Sequence, residues 1–210
     1  MDDVGTNAGF SLGKQTAAAG SPVNVLIPPR TGKRTKVTTL RMVAGDGADT
    51  VAGLDVLGTT TANGAAAAGQ ITVTITADPG NYTGKRTADN LIAAGDYLSA
   101  QLSDYTWWFD EVAAVSGLDI GMTSNLPTLG IADNAIIYFH GAAGDTNPRT
   151  AQVQPSLNLL AASSPDAIEA GSGSIFETTL VGNPLLLGAD NSANITDSTV
   201  LSYVAGVYGP

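Results

Sequence analysis

Apolar and polar residues alternate along most of this chain, in short runs. The run 70–77 is the clearest. Ile71, Val73 and Ile75 fall on one side, and Thr72, Thr74 and Thr76 on the other. That is the two-residue period of a strand with one packed face and one hydroxyl face. The same pattern predicts strands at 23–29 (stopped by Pro28 and Pro29), 35–45, 50–61, 96–102, 106–115, 118–122, 135–140, 174–181 and 200–208. Within 35–45, Val37, Thr39, Arg41 and Val43 share one face, and Thr38, Leu40 and Met42 the other. Gly53 is a candidate bulge inside 50–61. Residues 157–164 fit a strand or a short helix, 183–193 hold a short apolar run, and 84–95 allow one or two helical turns. Gly, Asp, Asn and Pro punctuate these runs, for instance at 45–50 and 78–82.

About ten to twelve strands result, with no regular alternation of helix and strand. A doubly wound sheet is therefore excluded. The expected fold is all-β: an antiparallel β-sandwich or barrel with an extended N-terminal arm and little helix. Residues 1–22 are small and polar without a period, so 1–34 is expected to form the arm and 35–210 the β-rich domain. Any subdivision of that domain is expected near 141–156.

Composition narrows the class. Hydrophobic residues make up 43% of the 210, charged residues only 13%, the opposite of a disordered chain. There is no cysteine, so stability rests on packing and hydrogen bonds. The acidic start, MDDVGTNAGF, lacks the layout of a secretory signal. No apolar run approaches the ~20 residues of a membrane-spanning helix. The net charge of −10 argues against nucleic acid as a partner, and no membrane partner is expected.

The charge is unevenly placed. Arg30, Lys33, Arg34, Lys36 and Arg41 are five of the nine cations, and after Arg86 only Arg149 is basic, against thirteen Asp and Glu. The basic stretch reads as a docking surface for an acidic protein neighbour, or as solvated turn charge.

Candidates for chemistry are few. His140 is the only histidine. It ends a strand and reads as structural, since a catalytic histidine needs a nucleophile and an orienting partner. Asp110 and Glu111 are adjacent on a strand and point to opposite faces, so they cannot flank one bond. Asp96, Asp104, Asp110 and Asp119 could supply an acid–base pair only from separate strands. Three oxygen-rich loops (Asp46 and Asp49; Asp145 and Asn147; Asp190, Asn191 and Asn194) miss the EF-hand spacing and suit turn geometry better than calcium. Two glycosylation sequons start at Asn81 and Asn194. No catalytic, cofactor or metal residue is expected, and no cofactor. Trp107, Trp108 and Phe109 form the densest aromatic cluster, with Trp108 on the opposite face from the other two. One side belongs to a core; the other is buried too or anchors a partner. The candidate partner-binding residues are Arg30, Lys33, Arg34, Lys36 and Trp108.

The stretches GTTTANGAAAAGQITVTITADPGNYT (58–83), LIAAGDYLSAQL (91–102), TWWFDEVAAVSGLDIGMTSNLP (106–127) and IADNAIIYFHG (131–141), with NPLLLGADNSANITDSTVLSYVAGVY (183–208), carry a resemblance. They resemble virion proteins of tailed bacteriophages, most closely the β-rich head decoration or cement proteins. The resemblance is one of pattern and composition across about two-thirds of the chain and transfers no site residues. It implies a non-enzymatic structural protein assembled in the host cytoplasm and sitting on the capsid exterior. Its implied partners are the major capsid protein and other copies of itself, as a homotrimer. A tail or fibre component in host attachment and a glycan-active enzyme are the alternatives.

Overall fold

The computed structural model describes residues 11–17, 23–43, 48–54, 56–79, 92–140, 157–160, 166–169, 176–178, 180–190 and 199–208. These residues form fifteen strands and no helix, and the ladders between them are antiparallel. The chain divides into two compact units: residues 1–55 with 150–210, and residues 56–149 between them.

The discontinuous unit holds two sheets. One runs β1 (Ser11–Ala17), β15 (Thr199–Tyr208), β3 (Arg34–Val43), β12 (Asp166–Glu169), with β13 (Phe176–Glu177) also on β3. The other runs β11 (Leu157–Leu160), β4 (Ala48–Leu54), β14 (Leu185–Asp190), β2 (Val23–Ile27). Within 1–34, then, Ser11–Ala17 and Val23–Ile27 each have a ladder partner, β15 and β14. Phe176 from the first sheet lies over Gly53 of the second. Around that contact Ile27, Val37, Leu54 and Leu185–Leu187 are buried.

Two expectations change here. Gly53 marks no bulge: β4 pairs with β14 in unbroken register, Leu187 opposite Gly53. The missing side chain instead makes room for the Phe176 ring. The register shift lies between Val204 and Ala205, which oppose Thr39 and Val37 and skip Thr38. Residues 50–61, expected as one strand, are two: β4 ends at Leu54 in one unit, and β5 (Val56–Thr61) begins the other.

The continuous unit is a six-stranded sheet in the order β5, β10 (Ile136–His140), β7 (Tyr97–Gln101), β8 (Trp107–Ser116), β9 (Asp119–Met122), β6 (Thr72–Thr74). The sheet curls until its outer strands touch without closing into a barrel. Ala62 bridges Ile75. Nearby, Asn63 N–H donates to the Thr74 carbonyl and Thr76 N–H to that of Thr61, both at 2.9 Å. Its apolar core includes buried Val73, Ile75, Leu98, Val112, Ile120, Met122, Ile137 and Phe139. Val56, the first residue of the unit, pairs with His140.

The run 70–77 yields only a three-residue strand. Val73 and Ile75 enter the core as the alternation demands, but Ile71 precedes the ladder and is 51% exposed. The helical turns expected at 84–95 fall largely on 80–91, outside the described residues. β1 and β12 lie where no strand was expected.

Candidate functional site

Among the described residues the chemically capable side chains are engaged in holding the fold. His140 is fully buried, with Nε2 2.9 Å from Ser99 Oγ. Ser99 is also fully buried. The pair has the spacing of a base and a nucleophile, but no substrate atom reaches either group. Nothing in the local pattern singles out Ser99, because its register against β10 becomes known only from the sheet.

The four candidate carboxylates do local work. Buried Asp96 accepts from Ala93 N–H at 2.9 Å. Asp104 accepts from the Thr106 hydroxyl at 2.6 Å and its N–H at 3.0 Å. These bonds, the hydroxyl's first, hold the Asp104 carboxyl below the usual carboxylate range. Asp110 accepts from the Thr123 hydroxyl and Ser124 N–H at 2.7 and 2.6 Å, tying β8 to the turn after β9. Asp119 accepts from the Thr74 hydroxyl at 2.6 Å across β9 and β6. No group of three His, Cys, Asp or Glu able to hold a metal occurs among the described residues. Asp46, Asp145, Asn147, Asn191, Asn194 and the sequon at Asn81 lie outside those residues, while Asp49 and Asp190 sit in β4 and β14.

The cations group around the β2–β3 turn of the discontinuous unit. Arg30 is exposed and Lys33 half-buried, and Lys33 N–H donates to the Arg30 carbonyl at 3.0 Å. Arg34 turns the other way. Its Nε donates to the Thr178 carbonyl at 2.8 Å, and Nη2 pairs with Glu177 at 3.1 Å. Lys36 lies in β3 opposite Glu177 of β13. The Lys33 carbonyl accepts from Gly182 N–H at 2.8 Å. This brings the turn holding Leu180 and Val181, 62% and 44% exposed, beside Arg30 and Lys33. Sequence reading missed these two residues, since an apolar pair ending a predicted strand looks like core.

Trp108 lies in the other unit. It stands opposite Ala100 and packs partly buried against the core, whereas Trp107 faces Tyr138 with ring centroids 5.9 Å apart. Alternation had placed the two tryptophans on opposite faces in this way. Tyr138 is buried, and its burial pushes the phenol above its ordinary pKa.

At the end of this unit away from Val56 and His140, turns 62–71, 102–106 and 123–135 are tied together. Ala66 and Ile131 exchange two main-chain hydrogen bonds, each 2.9 Å. Gly69 N–H donates to the Leu126 carbonyl and Leu126 N–H to that of Gln70, at 2.9 and 2.8 Å. Ser103 N–H reaches the Gly130 carbonyl at 3.2 Å. On this framework Ile71, Tyr105 and Leu129 are exposed, Tyr105 at 80%. Tyr105 also has φ of 67°, a left-handed conformation that costs an L-residue roughly 1–2 kcal/mol. Gln101 Nε2 holds it there through the Tyr105 carbonyl at 2.9 Å. Exposed Asp104 directly precedes Tyr105, and exposed Asp133 accepts from Gly64 N–H at 2.8 Å. The described residues of this unit include seven acids (Asp78, Asp96, Asp104, Asp110, Glu111, Asp119, Asp133) and no lysine or arginine.

No protein-family model matches the chain, and no curated protein does. Among solved structures it is similar to VP17, a capsid protein of bacteriophage P23-77: 13% identity, 95% of this chain and 98% of that chain covered, TM-score 0.24. It is similar to the complex of VP16 and VP17, the two major capsid proteins of that phage, at 11% identity, with 95% and 99% covered and TM-score 0.24. A structure of infectious bursal disease virus, Gx strain, is similar at 12% identity, with 95% of this chain and 42% of that chain covered and TM-score 0.14. No helix among the described residues is long and apolar enough to cross a membrane.

Proposed function

We propose that this chain is a structural protein of a virus particle that decorates the capsid shell and stabilises it by bridging neighbouring capsid subunits. One observation carries the reading: both units leave large apolar side chains exposed on turns that hydrogen bonds hold in place, Leu180 and Val181 in one, Ile71, Tyr105 and Leu129 in the other. Apolar groups already fixed in position lose little entropy on contact, which suits a bridging protein. The resemblance of 58–83, 91–102, 106–127, 131–141 and 183–208 to head decoration proteins gives the direction. The likeness to P23-77 capsid proteins is of the same kind and, at a TM-score of 0.24, carries none of the weight.

The proposed partners are the major capsid protein on the shell exterior and further copies of this chain in a homotrimer, whose closed symmetry suits three-fold positions. Arg30, Lys33, Arg34, Lys36 and Trp108 are proposed contact residues. Many repeated contacts of modest strength raise the cost of separating any two subunits. Gel densitometry on purified particles tests the reading. The expected result is a fixed ratio of this chain to the main shell subunit. Copies confined to one vertex place it in a tail, and absence from washed particles overturns the proposal.

A further inference from the structure

The two exposed apolar patches are complementary in charge. Beside Leu180 and Val181 stand exposed Arg30 and half-buried Lys33, neither in an ion pair among the described residues. Beside Tyr105 and Leu129, whose turns are joined by the Ser103 N–H to Gly130 carbonyl bond, stands exposed Asp104, in a unit whose described residues include no lysine or arginine. Each patch has the anatomy of half an interface, an apolar centre with a charged rim. Leu180, Val181, Tyr105 and Leu129 are all exposed.

We infer that the occupant of each patch is the other patch on a second copy of this chain. Like charges on the rims disfavour pairing a patch with its own kind, and opposite charges favour the mixed contact. The contact is therefore head to tail, which builds a ring where the rotation closes and an open row where it does not. Tyr105 is the anchor. The framework holds a large, rigid aromatic ring outward in a backbone conformation that asparagine or glycine adopts more readily. The inference uses surfaces named in the proposed function but not the capsid, so its test needs no shell.

Sedimentation velocity of the full chain tests it at low and high salt. The wild type should associate as concentration rises, and less so in high salt. Tyr105→Asn disables one patch while easing the backbone. Arg30→Glu with Lys33→Glu and Leu180→Ser disables the other. Each variant alone should be monomeric, with association weakened about tenfold or more. Mixed, they should form a one-to-one pair that grows no further, since each keeps one intact patch. Far-UV circular dichroism and melting of each variant check its fold; Tyr105→Asn should melt no lower than wild type. A wild type that stays monomeric at every concentration overturns the inference, as does a variant that still self-associates alone or a mixture that fails to pair. Failure here with the chain abundant on particles would leave the capsid reading standing; self-association with absence from particles would do the reverse.

Discussion

Gly53→Ala should destabilise the discontinuous unit, although the general rule for strands points the other way. A glycine inside a strand costs roughly 0.5–1 kcal/mol relative to alanine, and β4 is regular at Gly53, so alanine would ordinarily be a gain. A methyl here would sit 2.5 Å from Phe176 Cγ, 2.6 Å from Cδ1 and 2.8 Å from Cβ. Ordinary carbon contacts begin near ~3.5 Å, so the ring must retreat by about 1 Å. It has nowhere to go. Phe176 is fully buried, and the next residue but one is clasped to β3, with Thr178 N–H on the Thr35 carbonyl at 2.9 Å and Thr35 N–H on Thr178 Oγ1 at 3.0 Å. Overpacking of this kind costs about 1–3 kcal/mol. The net loss is then about 1–2 kcal/mol, or ~0.5–1 M in urea midpoint. Far-UV circular dichroism is the right probe, because both tryptophans, Trp107 and Trp108, lie in the other unit. Phe176→Ala alone should cost about 3–5 kcal/mol. The double variant should lose less than the sum by about 1–2 kcal/mol, the added methyl now part-filling the space. An unchanged or raised midpoint for Gly53→Ala, or strictly additive losses, would refute the packing argument.

Gly130→Ala should be more damaging. Gly130 has φ of 60° and an added Cβ would meet the main chain of Ala66, Ala67 and Ala68, so the tied turns must part; a loss of about 2 kcal/mol or more in tryptophan-monitored unfolding is expected. Ser99→Ala removes the 2.9 Å bond to His140 inside the sheet and should cost about 1–3 kcal/mol in the same assay, with a midpoint equal to wild type counting against a structural role for the pair. The raised Tyr138 phenol sets a pH dependence. Its stabilisation is whole below the ordinary phenol value of about 10 and is lost as pH rises toward the folded-state value, because the unfolded chain gives up the proton first. Urea unfolding between about pH 8 and about pH 11 should show a shallower decline for Tyr138→Phe, and identical slopes would contradict it.

Much of the strand content was legible because alternation is a local signal. Residues 97–101, 107–116, 119–122 and 136–140 fall where the period placed them. The opposed faces of Trp107 and Trp108 follow from the same rule. Strands that alternation missed are specified by a partner rather than by their own residues. Ser11–Ala17 has no apolar period, yet all seven of its residues pair with β15, 182 to 194 positions on. The break between Leu54 and Val56 was invisible for a related reason: Ala52, Leu54 and Val56 continue one apolar alternation across two units. The cationic turn could be seen in the sequence, but its apolar neighbours Leu180 and Val181 arrive through one long-range hydrogen bond from Gly182 to Lys33. Ser99 beside His140 and the Asp110 clamp on Thr123 and Ser124 likewise need the sheet register before they exist as sites.

Among the described residues the most exposed large apolar side chains, Tyr105 and Leu180, lie on turns, and several strand edges are restrained. A bare edge offers main-chain donors and acceptors that any extended chain can pair with, so it associates without selectivity. In the continuous unit the two edges are brought together, Ala62 on Ile75, with Thr61 and Thr76 hydroxyls 2.9 Å apart beside them. In the discontinuous unit three of the edge strands are short or interrupted, while β1 is a regular edge of seven residues. β11 and β12 have four residues each, β12 begins and ends on an acid, and β2 runs into Pro28 and Pro29. Proline removes the donor that a continuing ladder needs, and charge on an edge penalises the approach of another edge. Tyr105, Leu129, Leu180 and Val181 instead present side chains, whose shape and flanking charge would discriminate between partners in the contact proposed above. A strand-rich protein working at high local concentration must suppress edge pairing and keep one selective contact, and this division of edges from turns meets both demands.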